Sequence, residues 1–528
     1  MIMTTITPFA AGSYLTTRNA NQLTTLKNQL NNLSNQVSSG QVSQTYGGLG
    51  SGRSTALAAQ ATLSALNGYA AGITAAQTRT DLAVTSLTQV ATLGTSSRQS
   101  LNNGLQSAAT SSIAGRSTAL GNLQTVLDTL NQSASGNYLF GGTDSSTQPV
   151  LDANTILNGS TNGDGPPKDG LTTLIKEQLK ADLGSGSGWL TTSTSALNTV
   201  TVTEDSDTRL NFGFNVGGAS STTTAIEASA SPGTPTTAGT INLTVKNLPA
   251  AGDSVTVTLK MHDGTSTTLT LTAVSSNIAP STSSTGGTFQ IGSDSSTTAS
   301  NLNAALDKAI EAAASGPLTV SSTAVAAKNF FSGSASAEIY PQRVEYLNSK
   351  PVYVTGTEDK TVLWYQGEDT RTPPPDSKPT PALDTQSTQI SSSASIGTGA
   401  RANDAAIQNV LAGLATMAFG LPTTSDSTTT ATYQAVINSA GQLLSSSDTT
   451  SPSVQDTVTQ LSLASARLSS ASTTNKATQN TMQNSLDSIE QVSPEEAIAK
   501  LLDVQNRLQA SYQITSSLSK LSLVNYIS

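Results

Sequence analysis

Residues 23–40 read LTTLKNQLNNLSNQVSSG, and their spacing decides the class of fold. Leu23, Leu26, Leu30, Leu33 and Val37 recur at alternating steps of three and four. That spacing keeps every apolar side chain on one stripe of an α-helix, as in the a and d positions of a coiled coil. Gly40 then stops the pattern, as a glycine just past a helix C-terminus does. Four glycines between Tyr46 and Gly52 form a break. A second seam follows through Leu66, Tyr69, Ile73, Ala76, Thr80, Ala83, Leu87 and Val90. A third, through Leu101, Leu105, Ile113, Leu120, Leu123, Leu127 and Leu130, closes near Gly136.

The C-terminal part repeats the pattern. Val454, Val458, Leu461, Ser465, Leu468, Ser472, Asn475, Gln479, Met482, Leu486 and Ile489 hold one four–three register. Its polar middle costs stability and favours one register over its neighbours. Ser493-Pro494-Glu495-Glu496 has the form of a capping box with proline at the first helical position, so a new helix starts there. Ile498, Leu501, Val504, Leu508, Tyr512, Leu518 and Leu521 form its stripe. A long helix with so few charges is not stable alone and requires a partner.

Between Thr143 and Thr398 the signal changes to Gly, Ser, Thr and Pro clusters with short alternating runs. Ile241/Leu243/Val245, Val255/Val257/Leu259/Met261 and Leu269/Leu271/Ala273 alternate with polar residues, as half-buried strands do. Asp263-Gly264 joins the last two as a hairpin turn. An Ala-rich helix over 300–314 and a returning strand at Leu318/Val320 complete a small α+β module over 236–328. Pro373-Pro374-Pro375 and the Ser-rich stretch to Ser395 read as a linker. The expected plan is mainly α, with coiled-coil terminal regions and an inserted β-rich (α+β) central region. Its parts are a terminal helix (1–42), a helical rod (43–142), a β-rich part (143–235), the module (236–328), a β-rich part with linker (329–397), a returning rod (398–490) and a terminal helix (491–528).

Composition narrows the chemistry. Charged residues are 11% of the 528, aromatics 4%, and the formal net charge is −9. The aromatic share is low for one large packed core, and the negative balance disfavours nucleic acid. No cysteine is present, so thiol catalysis, Cys-ligated zinc and disulfides are excluded. One histidine, His262, leaves no H-E-x-x-H zinc helix, and its place beside a turn reads as structural. Gly48-Leu49-Gly50-Ser51-Gly52 lacks the strand and the Gly-Lys-Ser/Thr ending of a phosphate loop. Glu204, Asp205 and Asp207 could ligate calcium but lack the twelve-residue loop. Trp189 and Trp364 read as packing residues. We expect no enzyme, no cofactor and no metal. The first residues lack a basic segment followed by an apolar run, so no cleavable signal is expected; no apolar run is long enough to span a membrane.

Several stretches together resemble the bacterial flagellin family, which includes filament flagellins and hook–filament junction proteins. They are Leu33-Ser34-Asn35-Gln36-Val37-Ser38-Ser39-Gly40, Gly136-Asn137-Tyr138-Leu139-Phe140-Gly141-Gly142, Ala402-Asn403-Asp404, and Leu518-Ser519-Lys520-Leu521-Ser522-Leu523-Val524-Asn525-Tyr526. The region Thr45-Tyr46-Gly47-Gly48-Leu49-Gly50 departs from the Asp-Asp-Ala-Ala-Gly-like run of many members. The resemblance implies a structural subunit that is exported without a cleavable signal, is secreted and extracellular, and polymerises with itself into the flagellar filament used for motility. It implies hook-associated and cap proteins and an export chaperone as partners, and neither nucleic acid nor membrane. It also implies an assembly interface on the terminal stripes: Leu23, Leu26, Leu30, Leu33, Val37, Leu501, Val504, Leu508, Tyr512, Leu518 and Leu521. A junction protein of the same family is one alternative, toward which Tyr138-Leu139-Phe140-Gly141-Gly142 leans. A surface adhesin or binding module on a helical stalk, with 236–328 as the binder, is another.

Overall fold

The computed structural model describes residues 8–105, 108–161, 166–195, 198–371, 381–423, 429–445 and 453–527. The chain is mixed helix and sheet. Its helices are α1 (Pro8–Ser39), α2 (Arg53–Gly104), α3 (Ala108–Thr129), α4 (Ala153–Asn158), α5 (Leu171–Leu183), α6 (Ser295–Ala313), α7 (Thr319–Phe331), α8 (Ala405–Gly420), α9 (Thr429–Leu444), α10 (Val454–Glu490) and α11 (Pro494–Ile527). The chain divides into two compact units: residues 1–74, 389–394 and 469–528, and residues 75–388 and 395–468.

In the first unit α1 packs along α11. Gly40, at φ +72°, ends α1 in the left-handed conformation expected of that glycine. Just beyond, Val42 N–H donates to the Glu490 carbonyl (2.7 Å) and Val492 N–H to the Gly40 carbonyl (3.0 Å), tying the two breaks together. Ser493 Oγ accepts the Glu496 N–H at 3.4 Å and donates to Glu495, capping α11 one turn before its first buried residue, Ala497. A small cluster of Ala56, Ala59 and Leu486 joins the start of α2 to the end of α10. Farther along, Asn475 Nδ2 donates to the Leu66 carbonyl (3.0 Å) and Gln479 Nε2 to Asn67 Oδ1 (3.1 Å). The polar seam of α10 is therefore hydrogen-bonded across to α2 rather than merely tolerated.

The second unit holds two hydrophobic clusters. One gathers Leu87, Leu127, Phe140, Phe331, Trp364 and Leu411, with α3, α7 and α9 packed on the strongly apolar α8. Trp364 is fully buried, meets Phe331 edge-on at 5.5 Å, and donates its indole N–H to the Phe331 carbonyl. A short hairpin, β1 (Ser133–Ala134) and β2 (Asn137–Tyr138), turns through Gly136 beside this core.

The other cluster is a β-rich module. Strands β3 (Leu190–Thr194), β4 (Thr199–Glu204), β5 (Asn215–Ser221), β6 (Ile226–Ser231), β7 (Thr240–Val245), β8 (Ser254–Lys260), β9 (Ser266–Val274), β10 (Thr282–Ser283) and β11 (Gly286–Gln290) form two sheets. Their orders are β3-β4-β7-β6 and β10-β11-β9-β8-β5, antiparallel except for β9 and β11. Inward residues from both, with Leu302, Leu306 and Ile310 of α6, make the core. The alternating runs at 241–245, 255–261 and 269–273 are buried on the expected residues, and Asp263-Gly264 makes the β8–β9 turn.

Two expectations about this region are corrected. The boundary at 236 cuts through both sheets, because β7 pairs with β4 and β6, and β8 with β5; the cluster spans Leu190 to Leu318. Leu318/Val320 is not a strand. A turn of π-helix containing Pro317 leads into α7, which buries Val320, Ala324, Ala327, Phe330 and Phe331 at helical spacing. A separate hairpin, β12 (Gln342–Leu347) and β13 (Lys350–Thr355), and a small pair, β14 (Ser387–Gln389) and β15 (Ser395–Gly397), follow. The triple proline lies outside the described residues.

Candidate assembly surface

The α1 stripe faces α11 as its spacing requires, yet the burial is shallow. Leu23, Leu26, Leu30 and Leu33 are half-buried and Val37 remains 37% exposed. On α11, Leu501 and Leu508 are half-buried and Val504 is the best covered of the expected residues, at 8%. Tyr512 departs from the seam and is 54% exposed. The row that faces inward continues instead through Ser511 and Thr515, so the register is Ala497, Leu501, Val504, Leu508, Ser511 and Thr515. Strict four–three steps from Leu501 and Val504 lead to Ser511; the bulkier Tyr512 drew the seam one residue aside. The side chains of Leu518 and Leu521 lie outside the described residues.

A second apolar row runs beside the seam; it takes Ile498 and Tyr512 out of the expected stripe and adds Leu502. Ile498, Leu502 and Tyr512 are 45%, 53% and 54% exposed. At roughly 100° per residue they sit about a quarter-turn round α11 from the seam. Beside the helix pair runs a groove of about 780 Å³, bounded by Tyr14, Arg18, Gln22, Leu26, Arg507 and Ile514. Tyr14 is 68% exposed and Ile514 59%. Arg507 is paired within its own helix to Asp503 at 3.0 Å, an exposed pair of little energetic weight. What the described residues of this unit offer is uncovered apolar area.

The residues weighed for chemistry are occupied structurally. Glu204, buried, accepts from Arg209 and from the backbone N–H groups of Val216 and Gly239 (2.5 and 2.7 Å). Asp205 accepts from Lys350 and the amides of Asp207 and Thr208. Burial pushes its carboxyl up, but Lys350 and those amides outweigh burial and hold it below its ordinary range. Glu204 and Asp205 are thus committed elsewhere, and no metal-holding cluster occurs among the described residues. Residues 46–52 form a short helical turn with Gly50 at φ +57°. His262 precedes the β8–β9 turn, half-buried. Asp182, 2% exposed, accepts from Gln178 and Gly213; burial pushes its carboxyl up despite those bonds.

Compared with known proteins, the chain matches no family model and no curated sequence. No helix among the described residues is long and apolar enough to cross a membrane.

Proposed function

We propose that this chain is a structural subunit that polymerises with copies of itself into a helical filament, of the kind flagellins build, and carries out no catalysis. The observation that supports it is the contrast between the two units. In the second, large aromatic and aliphatic side chains are fully buried. In the first, the terminal helices leave their seam half-covered, and Ile498, Leu502, Tyr512, Ile514 and Tyr14 stand largely exposed. Apolar area concentrated in this way marks an association surface. Two helices offering different faces favour a head-to-tail contact, which produces a filament when its rotation does not close.

On this proposal the protein acts outside the cell, its partners being further copies, hook-associated and cap proteins, and an export chaperone that covers the terminal helices before assembly. Purified protein brought to salting-out conditions should sediment as filaments of uniform diameter in negative stain. A chain that stays monomeric, or precipitates amorphously under every such condition, contradicts the proposal.

A further inference from the structure

In the second unit the β8–β9 turn is set between α7 and α9. Asp263 N–H donates to Ser321 Oγ at 3.3 Å, and Ser439 Oγ donates to the Asp263 carboxylate. The other carboxylate oxygen accepts the Thr265 amide and hydroxyl at 3.0 and 2.7 Å. Beside this turn opens a cavity of about 760 Å³, within the usual range for small-molecule sites. Its cause is legible in the side chains. Ala91 and Gly94 of α2, Ala324 of α7, and Ala405 and Ala406 of α8 are too small to fill the space between their helices. Val325, Val410 and Leu444 complete an apolar wall.

The polar groups on the lining share one character. Asp263 is the only carboxylate among the described lining residues, and both its oxygens are already engaged. Lys328 lines the cavity and takes part in no ion pair among the described residues. The side-chain amides of Asn409 and Gln442 also line it, and neither makes a hydrogen bond among the described residues. Among the described residues the site therefore offers one free ammonium and amide donors above an alanine-rich wall, with no free acid to repel an anion. Among the described residues no Phe, Tyr or Trp lines it, and its one ring is the His262 imidazole, so a ligand that needs a broad stacking face is disfavoured.

We propose that this cavity binds a small monocarboxylate with an aliphatic body. The carboxylate pairs with Lys328 and accepts from Asn409 or Gln442, while the chain lies along Ala91, Ala324, Ala406 and Val410. A flexible ammonium as the sole cation sets charge preference without fork geometry, so chain length and bulk matter more than the shape of the acid group. The net charge of −9 gives no long-range attraction for an anion; recognition is local, and binding in the millimolar range or tighter is expected of so small a ligand.

Isothermal titration of the full-length protein with hexanoate, and separately with hexanol, tests this. Hexanoate should bind saturably with one site per chain, and at least about tenfold more tightly than hexanol, with the difference shrinking at high salt. Lys328→Gln, an exposed change, should erase that preference while leaving the far-ultraviolet circular dichroism and hexanol binding unaltered. Ala324→Leu should abolish both by filling the space, and Ala406→Val is the milder version should leucine disturb the core. Absence of saturable hexanoate binding, equal binding of acid and alcohol, or an acid preference that survives Lys328→Gln overturns the proposal.

Discussion

Consider replacing both Leu502 and Tyr512 by aspartate. In the free chain these side chains are 53% and 54% exposed, and surface changes of this kind alter stability by about 0.5 kcal/mol or less. The melting temperature should barely move. In a polymer that covers the second row of α11 the same changes are severe. Burying the remaining half of each side chain is worth about 1 kcal/mol, on a scale of roughly 1.5–3 kcal/mol for full burial of such a group. Two carboxylates taken from water without partners add several kcal/mol more. A loss of about 3–5 kcal/mol per subunit raises the critical concentration by roughly two to three and a half orders of magnitude, at about 1.4 kcal/mol per tenfold. Pelleting assays across a concentration series, with circular dichroism of the soluble fraction, measure both quantities. An unchanged critical concentration with an intact monomer would show that this row is not covered on assembly, and the contrast in burial would lose its meaning.

Other expectations follow from the same structure. Val504→Asp, at the best-covered expected seam position, should lower the helicity of the free chain as well as block assembly, because it acts on α1–α11 pairing itself. Deleting 190–317 with a short linker should leave the helical core folded, since Gly188 lies against Leu318 at the module's neck; deleting 236–328 should not, because it removes β7 and β8 from sheets that retain β4, β5 and β6, and takes α7 from the helical core. Glu204→Ala strands the buried Arg209 guanidinium and should destabilise the module by about 3–5 kcal/mol, read by denaturant unfolding. Asp182 titrates higher folded than unfolded, so its contribution is fully present below the unfolded pKa and is lost as pH rises through the folded one; the melting temperature of Asp182→Asn relative to the parent should therefore rise as pH increases above the ordinary carboxylate range of about 4, and a flat difference would contradict this.

Helix seams were legible because their period is set by geometry that sequence carries directly. In α10 every seam position from Val454 to Ile489 faces inward, polar ones included. The second seam is likewise inward from Leu66 to Val90. Legibility failed where small residues occupy a seam. Ser511 and Thr515 gave no apolar signal beside Tyr512, and Ile113, expected inside α3, is 68% exposed while Ala119 and Val126 are buried. Strands were legible where Val, Ile and Leu alternate, as in β7 to β9. They were missed in β3 to β6, where Thr, Ser and Gly dominate and the deciding information is cross-strand pairing. Leu318 and Val320 mimic alternation over two positions, and only the continuation to Phe331 reveals the helical period. Of the second apolar row on α11, the expected stripe absorbs Ile498 and Tyr512 and leaves over only Leu502, so apolar spacing alone did not separate the two rows. The alanine-lined cavity could not, because it depends on which helices cross.

The central claim is that the terminal helices complete their packing only against other copies. Hydrogen–deuterium exchange of the amides in residues 8–39 and 494–527, measured in the soluble chain and in the pelleted polymer, addresses it directly. Shallow burial allows cheap local opening, so these amides should exchange rapidly in the soluble chain, far faster than those of α8, and become strongly protected in the polymer. Equal protection of the terminal helices in both states, at the level of α8, would contradict the account.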